Sequence, residues 1–303
     1  IPVTIGGVRI QRASLHNKDE INRLGIVIGD TVSVKRAGDV IPQVINYIPN
    51  LRPKESKLIL FPNNCPSCNS VLKRENDEAI IRCVNLSNCN EQLKGQLVHF
   101  VSRNAFNIGG LGEKQIIELF DKNIIKEPAD IFLLDLEMGK DKKEKILSLS
   151  GWGDLSLSNI IKSINNSKNQ PMDKIIYSLG IRHVGQGTAK LIAKNYKSSA
   201  MFIDKIKELE INASREVFIE ELRAINGLGD KAILSLISYF QINSVQFFNL
   251  IKFISLLYEY YKITVSIFTS YTIRYLCLFL FTFILDLRLI IIFIKCNFRI
   301  IHV

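Results

Sequence analysis

The chain has 303 residues and a formal net charge of +10, a length that predicts about two domains or several smaller modules. The basic excess favours a polyanionic partner, nucleic acid first and a membrane surface second, with a merely basic protein as the alternative. The opening stretch IPVTIGGVRI lacks the charged start and apolar core of a signal peptide, so export and disulfides are not expected. Because this stretch has no initiator Met and already has a strand pattern, we expect the chain to be a piece of a longer protein.

Residues 1–62 have the pattern of a small β domain. The stretch 31–35 alternates apolar and polar residues with period two, and the stretch 40–48 is rich in β-branched residues. One short helix is predicted between the strands, over residues 17–24. Several short strands around a single helix predict a five-stranded barrel of the oligonucleotide-binding (OB) kind.

Residues 63–92 contain four cysteines in the pattern C-x2-C-x14-C-x5-C. Two close pairs on two short loops supply the four thiolates of a tetrahedral zinc site, and they leave no coordination position for a catalytic water. Four reduced thiols without a metal are the alternative. The pattern therefore predicts a structural Zn²⁺ ion bound by Cys65, Cys68, Cys83 and Cys89.

Residues 93–245 are typical of short amphipathic helices, and one glycine-containing element recurs between them at 108–112, 151–153, 184–187 and 225–229. Glycine lets the backbone approach a partner closely, and the start of the next helix presents free N–H groups that attract phosphate. Such hairpins contact nucleic-acid backbone without reading sequence. The second copy carries Asp154 where phosphate would lie, so we expect it to pack against the other copies. Residues predicted to contact nucleic acid are Gly110, Gly112, Lys114, Arg182, Gly185, Gly187, Lys190, Gly227, Gly229 and Lys231.

These motifs together resemble one family. The stretch VRIQRASLHNKDEINRLGIVIGDTVSVKRAGDVIPQV, residues 8–44, is similar to the OB domain of bacterial NAD⁺-dependent DNA ligases. The cysteine spacing is similar to the zinc finger of that family. QLKGQLVHFVSRNAFNIGGLG and SLGIRHVGQGTAKLIA are similar to its helix-hairpin-helix domain. The resemblance covers roughly residues 1–250.

The resemblance implies a role in DNA replication and repair, where such an enzyme (EC 6.5.1.2) seals nicks in duplex DNA. In that family a lysine in a K-x-D-G motif takes AMP from NAD⁺, with Mg²⁺, and this chain contains no K-x-D-G. We therefore expect no catalytic or NAD⁺-binding residue here, and whether the chain is an enzyme stays open. The resemblance places Lys35 and Arg36 near the minor groove or the bound nucleotide.

By the same resemblance the chain would be the DNA-clamping portion of a ligase in the bacterial cytoplasm. Its expected partners are duplex or nicked DNA and a separate adenylation fragment, with no membrane. The alternative is a stand-alone zinc and helix-hairpin-helix module that binds DNA without any ligase role.

The tail, residues 246–303, departs from the family, which continues into a glycine-rich BRCT domain. From residue 252 onward it has no Gly, Pro or Ala, and a frameshift in an AT-rich gene is the favoured interpretation. A membrane anchor is the alternative. Fifteen Leu, Ile or Phe residues between 275 and 294 favour insertion by about 0.5 kcal/mol each, but Asp286 and Arg288 cost about 3 kcal/mol each, so the sum is close to zero.

The sequence thus predicts a multidomain α+β protein. Its parts are an OB barrel over 1–62, a four-cysteine zinc finger over 63–92, an all-α array of four hairpins over 93–245 and an irregular apolar tail over 246–303.

Overall fold

The computed structural model describes residues 1–36, 41–75, 78–136, 139–196, 198–209 and 213–254. The chain forms two compact units, Ile1–Gly95 and the residues from Gln96 onward. The first unit holds the described strands and the four cysteines of residues 65–89, and the second is helical over its described residues, so the predicted α+β class is confirmed.

The described strands of the first unit pair two by two in antiparallel sheets. The pairs are β1 (Val3–Ile5) with β2 (Val8–Ile10), β3 (Val32–Lys35) with β4 (Gln43–Tyr47), and β5 (Leu72–Lys73) with β6 (Arg82–Cys83). Gly6 and Gly7 both have positive φ and form the two-residue turn between β1 and β2.

The predicted five-stranded ring is not closed within the part of the chain that the structure describes. The β3–β4 register shifts between Ser33 and Val34, which disrupts a continuous ladder. Outside the named pairs, single bridges join Ser14 to Gln43 and Ile28 to Lys57. The domain is therefore a set of short paired strands joined by isolated contacts.

The predicted helix of the first unit is confirmed as α1 (Lys18–Leu24). The Asn17 side chain accepts a hydrogen bond from the N–H of Glu20, which satisfies a free donor at the helix start. Gly25 adopts a left-handed φ of 62° and ends the helix.

The apolar core around α1 is small, and a partly buried ion pair supplements it. The Arg52 guanidinium donates to both Asp30 carboxylate oxygens, at 2.7 and 2.8 Å, and lies 3.8 Å from the centre of the Tyr47 ring. These hydrogen bonds from Arg52 lower the pKa of Asp30. The pair joins the turn after α1 to the short 3₁₀ helix Pro49–Leu51 that follows β4.

The second unit is an array of short helices. In chain order they are α2 (Asn90–Val101, which starts in the first unit), α3 (Glu113–Asp121), α4 (Pro128–Leu136), α5 (Lys140–Leu147), α6 (Asp154–Ser167), α7 (Met172–Ser178), α8 (Gln186–Asn195), α9 (Ser199–Glu208), α10 (Ala213–Arg223) and α11 (Asp230–Ile251). The predicted all-α hairpin array is confirmed.

Two aromatic clusters hold the helices of this unit together. Phe100 stacks on Phe106 with ring centres 4.3 Å apart, and Phe132 meets the Phe106 ring edge-on at 5.7 Å. Further along the chain, Phe240 contacts Phe202 at 5.9 Å and Phe247 at 5.0 Å. Such buried rings fix the positions of the hairpins between the helices.

The last helix crosses the predicted boundary between residues 245 and 246. Asn243 has a non-helical φ of −117° and kinks α11. Beyond the kink Phe247, Leu250 and Ile251 are buried, so the first residues of the predicted tail belong to the core. Residues 255–303 lie outside the described part, and both interpretations of the tail stay predictions. No described helix is long and apolar enough to cross a membrane.

Candidate metal centre and nucleic-acid interface

The four predicted cysteines converge on one point. The Sγ atoms of Cys65 and Cys89 are 3.9 Å apart, those of Cys68 and Cys83 are 3.5 Å apart, and all four lie within 4.8 Å of one another. A tetrahedral zinc ion with Zn–S bonds of about 2.3 Å requires sulfur atoms about 3.8 Å apart. The residues present therefore fit Zn²⁺ as a closed structural site.

Local backbone geometry builds the two knuckles of this site. At the first, Cys65 N–H donates to the Ser70 carbonyl at 2.8 Å, and Asn69 takes a left-handed φ of 58° to close the turn. At the second, Asn88 N–H donates to the Asn85 side chain at 3.2 Å. Cys89 then supplies the first carbonyl acceptor of α2, so one thiolate sits at a helix start.

The electrostatics of the cluster favour a cation at its centre. Hydrogen bonding to Ser70 lowers the pKa of Cys68 to about 6. The backbone N–H of Asn85 lowers the pKa of Cys83, but burial and the three neighbouring thiols outweigh it and raise that pKa to about 12. Four thiolates this close repel one another, and a divalent ion at their centre removes that repulsion.

The four hairpins of the second unit share one turn. In each, the N–H of the apolar residue before the final glycine donates to a carbonyl three residues earlier. The bonds are Leu111 to Ile108 at 3.3 Å, Trp152 to Leu149 at 3.2 Å, Val184 to Ile181 at 3.0 Å, and Leu228 to Ile225 at 3.1 Å. The third residue of each turn is left-handed, as in a type II turn: Gly110, Gly151, His183 and Gly227, with φ of 88°, 84°, 62° and 87°.

One glycine then starts the next helix in every copy. These N-cap residues are Gly112, Gly153, Gly185 and Gly229. The third hairpin therefore differs from the sequence prediction, because Gly187 is the second residue of α8 and not a turn residue. His183 occupies the left-handed position that glycine fills in the other three copies, and aligning the copies on their N-cap glycines would have revealed this.

The hairpins associate in two pairs. In the first pair, Gly109 N–H donates to Ser163 Oγ on α6 at 2.6 Å, and a Cβ added at Gly110 would lie 2.7 Å from Ile160. In the second pair, a Cβ at Gly227 would lie 3.5 Å from Leu191 on α8. Each pair thus places the turn of one hairpin on the second helix of the other.

The helix starts differ in charge and capping. In the second hairpin, Gly153 N–H donates to Ser156 Oγ at 3.0 Å, and Asp154 pairs with Lys143 at 2.9 Å. Helices α3 and α11 have an acidic residue in the first turn but no side-chain cap. Helix α8 has no acidic residue in its first turn and no side-chain cap. The start of α8 therefore has the least compensated positive helix end of the four.

The structure places the predicted basic residues as follows. Lys35 is the exposed last residue of β3, and Arg36 follows it, partly buried. Three exposed lysines lie near the starts of hairpin helices: Lys114 on α3, Lys190 on α8 and Lys231 on α11. Arg182 lies partly buried in the third turn. The structure thus brings helix starts and basic side chains together at three of the four hairpins, and their contact with DNA stays a prediction.

Comparison with known families assigns the domains. The family profile of the NAD-dependent DNA ligase OB-fold domain matches residues 1–56, and that of the NAD-dependent DNA ligase C4 zinc finger domain matches residues 64–90. The profile of the helix-hairpin-helix motif matches residues 174–248. The profiles follow one another in the order that the sequence motifs predict.

Curated relatives agree with this assignment. The chain is 43% identical over 239 residues to a DNA ligase of Neorickettsia sennetsu, across 79% of this chain and 34% of the relative. It is 44% identical over 239 residues to a DNA ligase of Listeria monocytogenes, across 79% and 33%. The chain thus spans about a third of the length of the relatives that it matches. Residues 1–56 and 64–90 are therefore the OB-fold and C4 zinc-finger domains of the NAD-dependent DNA ligase family, and a helix-hairpin-helix region follows them.

Proposed function

We propose that this chain is the DNA-holding portion of an NAD⁺-dependent DNA ligase, and that it grips duplex DNA around a nick in the bacterial cytoplasm. The observation that carries the proposal is the repeated hairpin: three glycine-started helices present uncapped N–H groups beside exposed lysines, in a chain that carries the ligase OB and zinc-finger domains.

The proposed mechanism is positioning. The N–H groups at the starts of α3, α8 and α11 bind phosphate oxygens, and Lys114, Lys190 and Lys231 add positive charge. Because these groups face the sugar-phosphate backbone, binding is independent of base sequence. The four-cysteine zinc site stabilises the finger between the OB domain and the hairpins.

AMP transfer lies outside this role. NAD⁺ and Mg²⁺ supply that chemistry in the full-length family enzyme, and the K-x-D-G lysine motif is absent from this sequence. The residues of this chain bind and orient the duplex so that the ends at the nick stay aligned.

The test is a nick-sealing assay with NAD⁺ and Mg²⁺. We expect no sealing by the chain alone. An adenylation fragment of the Neorickettsia sennetsu relative should seal faster when the chain is added, because the chain raises the fraction of nicked DNA held for reaction. Sealing by the chain alone would contradict the positioning role.

A stand-alone DNA-binding module without a ligase role is the second candidate, because the four-cysteine site and the hairpins could bind DNA without an adenylation domain. The stand-alone module predicts that the chain binds DNA but does not change the rate of sealing by the adenylation fragment. The same assay therefore separates the two functions.

A further inference from the structure

A cleft of about 400 Å³ lies between the first two hairpins. Helix α3 forms one wall and helix α6 the other, and the turns of the two hairpins close it. This volume falls within the range of small-molecule sites, about 300–1,000 Å³. The cleft has room for one heterocycle of nucleoside size.

The lining of the cleft carries no charged side chain. It consists of glycines, serines, one isoleucine, Trp152 and two side-chain amides. A phosphate group would therefore find no cation here, in contrast to the hairpin helix starts with their lysines. The cleft matches a neutral polar ligand.

Bare backbone forms part of the cleft. Gly109, Gly110 and Gly151 line it and have no Cβ, so a flat ligand can approach the main chain closely. The Gly109–Ser163 hydrogen bond and the contact of Gly110 with Ile160 hold this backbone in place.

Trp152 supplies an aromatic ring whose orientation is fixed. Its indole N–H donates to Glu118 on α3 at 2.8 Å, and the ring remains half-buried beside the cleft. Aromatic side chains stack on unpaired bases in nucleic-acid sites.

The two amides have unused hydrogen-bonding capacity. Gln115 on α3 and Asn159 on α6 both line the cleft, and neither side-chain amide is hydrogen-bonded to another residue in the described part of the chain. Each offers a donor and an acceptor, the pair that matches the N6 and N7 atoms of adenine.

We propose that this cleft binds an unstacked adenine base, of a free nucleoside or of an unpaired nucleotide in DNA. The aromatic ring stacks on the base, and the amides of Gln115 and Asn159 bind its edge. The site uses none of the phosphate contacts proposed above, so it stands or falls separately from them.

Trp152 is the single tryptophan of the chain, so its fluorescence reports on the cleft directly. Titration of the zinc-loaded full chain with adenosine should give a saturable change. Ribose 5-phosphate should give none, because it has no base. The absence of a saturable change with adenosine, or an equal change with ribose 5-phosphate, would overturn the proposal.

Variants test the two amides. Gln115→Ala and Asn159→Ala should each weaken adenosine binding by about fivefold or more, since a base-amide pair is worth about 1–3 kcal/mol. Alanine favours helix, so neither change endangers folding. Gln241→Ala, at an exposed amide on α11, is the control and should leave the affinity unchanged. Unchanged affinity in both cleft variants would overturn the proposal.

A final comparison separates the sources of the base. A duplex with one unpaired adenine should change Trp152 fluorescence more than a fully paired duplex if DNA supplies the base. Equal responses would assign the cleft to a free nucleoside. If adenosine changes Trp152 fluorescence but fluorescence anisotropy shows no binding of either duplex, the cleft proposal holds and the proposed DNA-holding function fails.

Discussion

Gly110 combines a backbone requirement with a packing requirement at one residue. Its φ of 88° is left-handed, and an added Cβ would lie 2.7 Å from Ile160 Cγ1. A left-handed non-glycine residue costs about 1–2 kcal/mol, and overpacking costs about 1–3 kcal/mol. The glycine therefore fixes the contact between the first and second hairpins.

Gly110→Ala should lower the free energy of unfolding by about 2 kcal/mol or more, for the two reasons just given. Urea unfolding followed by circular dichroism measures it. Gly187→Ala is the matched control, because Gly187 lies in α8 with nothing within 4 Å of an added Cβ. That change should be neutral or stabilise by up to about 1 kcal/mol. Equal destabilisation by both changes would refute the role assigned to Gly110.

Asp30 gives the stability of the first unit a pH dependence. Its pKa in the folded state is lowered by the hydrogen bonds from Arg52, below the usual value of about 3.9 for the unfolded chain. The stabilisation is therefore complete above that value and is lost as the pH falls through the folded pKa.

Asp30→Asn should destabilise the protein at neutral pH, because Arg52 loses its ionic partner. The urea midpoints of the variant and the original chain should converge as the pH falls below about 3.9 and through the lowered pKa of Asp30 in the folded state. A constant gap between the two midpoints across this pH range would show that the ionisation of Asp30 does not cause the pH dependence of stability.

At the scale of elements, the zinc finger is the clearest case of structure that depends on a ligand. Its two strands have two residues each, and its exposed apolar residues include Val71, Ile80 and Val84. So small a segment lacks the core to fold alone, whereas zinc binding in finger peptides contributes about 10–16 kcal/mol.

Cys68→Ser should abolish stoichiometric zinc, measured by atomic emission, and expose residues 63–92 to protease. The cause is the loss of one of four ligands from a closed site. Cys277→Ser is the control, since Cys277 has no paired-cysteine spacing in the sequence, and it should keep one zinc per chain. Full zinc occupancy in Cys68→Ser would rule out the four-cysteine site.

The hairpins allow DNA binding to be separated from folding. Gly185 starts α8, has φ of −80°, and has open space around an added Cβ. Aspartate is a favourable helix N-cap, so Gly185→Asp should fold at least as well. Its carboxylate would occupy the N–H groups and repel phosphate, so we expect DNA affinity to fall by about tenfold or more.

Gly153→Asp is the matched control in the second hairpin, where Gly153 N–H already donates to Ser156 Oγ and Asp154 already brings a negative charge. DNA affinity should change little there, as measured by fluorescence anisotropy. Equal losses of DNA affinity in Gly185→Asp and Gly153→Asp would contradict the conclusion that the start of α8 is the least compensated positive helix end.

The hairpins also show what sequence alone could predict. Glycine spacing and helical periodicity were sufficient to locate the N-cap glycines Gly112, Gly153, Gly185 and Gly229 in the described part of the chain. The register of the third copy was not predicted, because His183 takes a left-handed conformation that a search for glycines passes over. The Ser156 cap and the Ser163 contact depend on hydroxyl geometry and on tertiary packing, which the spacing of glycines does not encode.

For the whole molecule, the sequence predicted which domains are present better than it predicted whether the OB barrel closes. The order of OB domain, zinc finger and hairpins followed from motifs, and the cysteine spacing led to four cysteines whose sulfur atoms lie within 4.8 Å of one another. The closed barrel did not, because closure depends on pairing between distant strands, which local patterns do not encode, and the described strands pair only two by two. The adenine cleft could not be predicted either, since its walls come from helices that are distant in sequence.

If the proposed function is right, phosphate contacts dominate the binding of DNA by this chain. The net charge of +10 and the three lysine-flanked helix starts predict that several counterions are released when DNA binds. Affinity should then depend strongly on salt and weakly on base sequence.

The most direct test is the anisotropy of a labelled nicked duplex titrated with zinc-loaded chain between about 50 and 200 mM salt. The account predicts that log K falls linearly with log salt, with a slope of about −3 or steeper, and that a second duplex of unrelated sequence gives the same line. No binding at the lowest salt, or an affinity that does not change with salt, would contradict it.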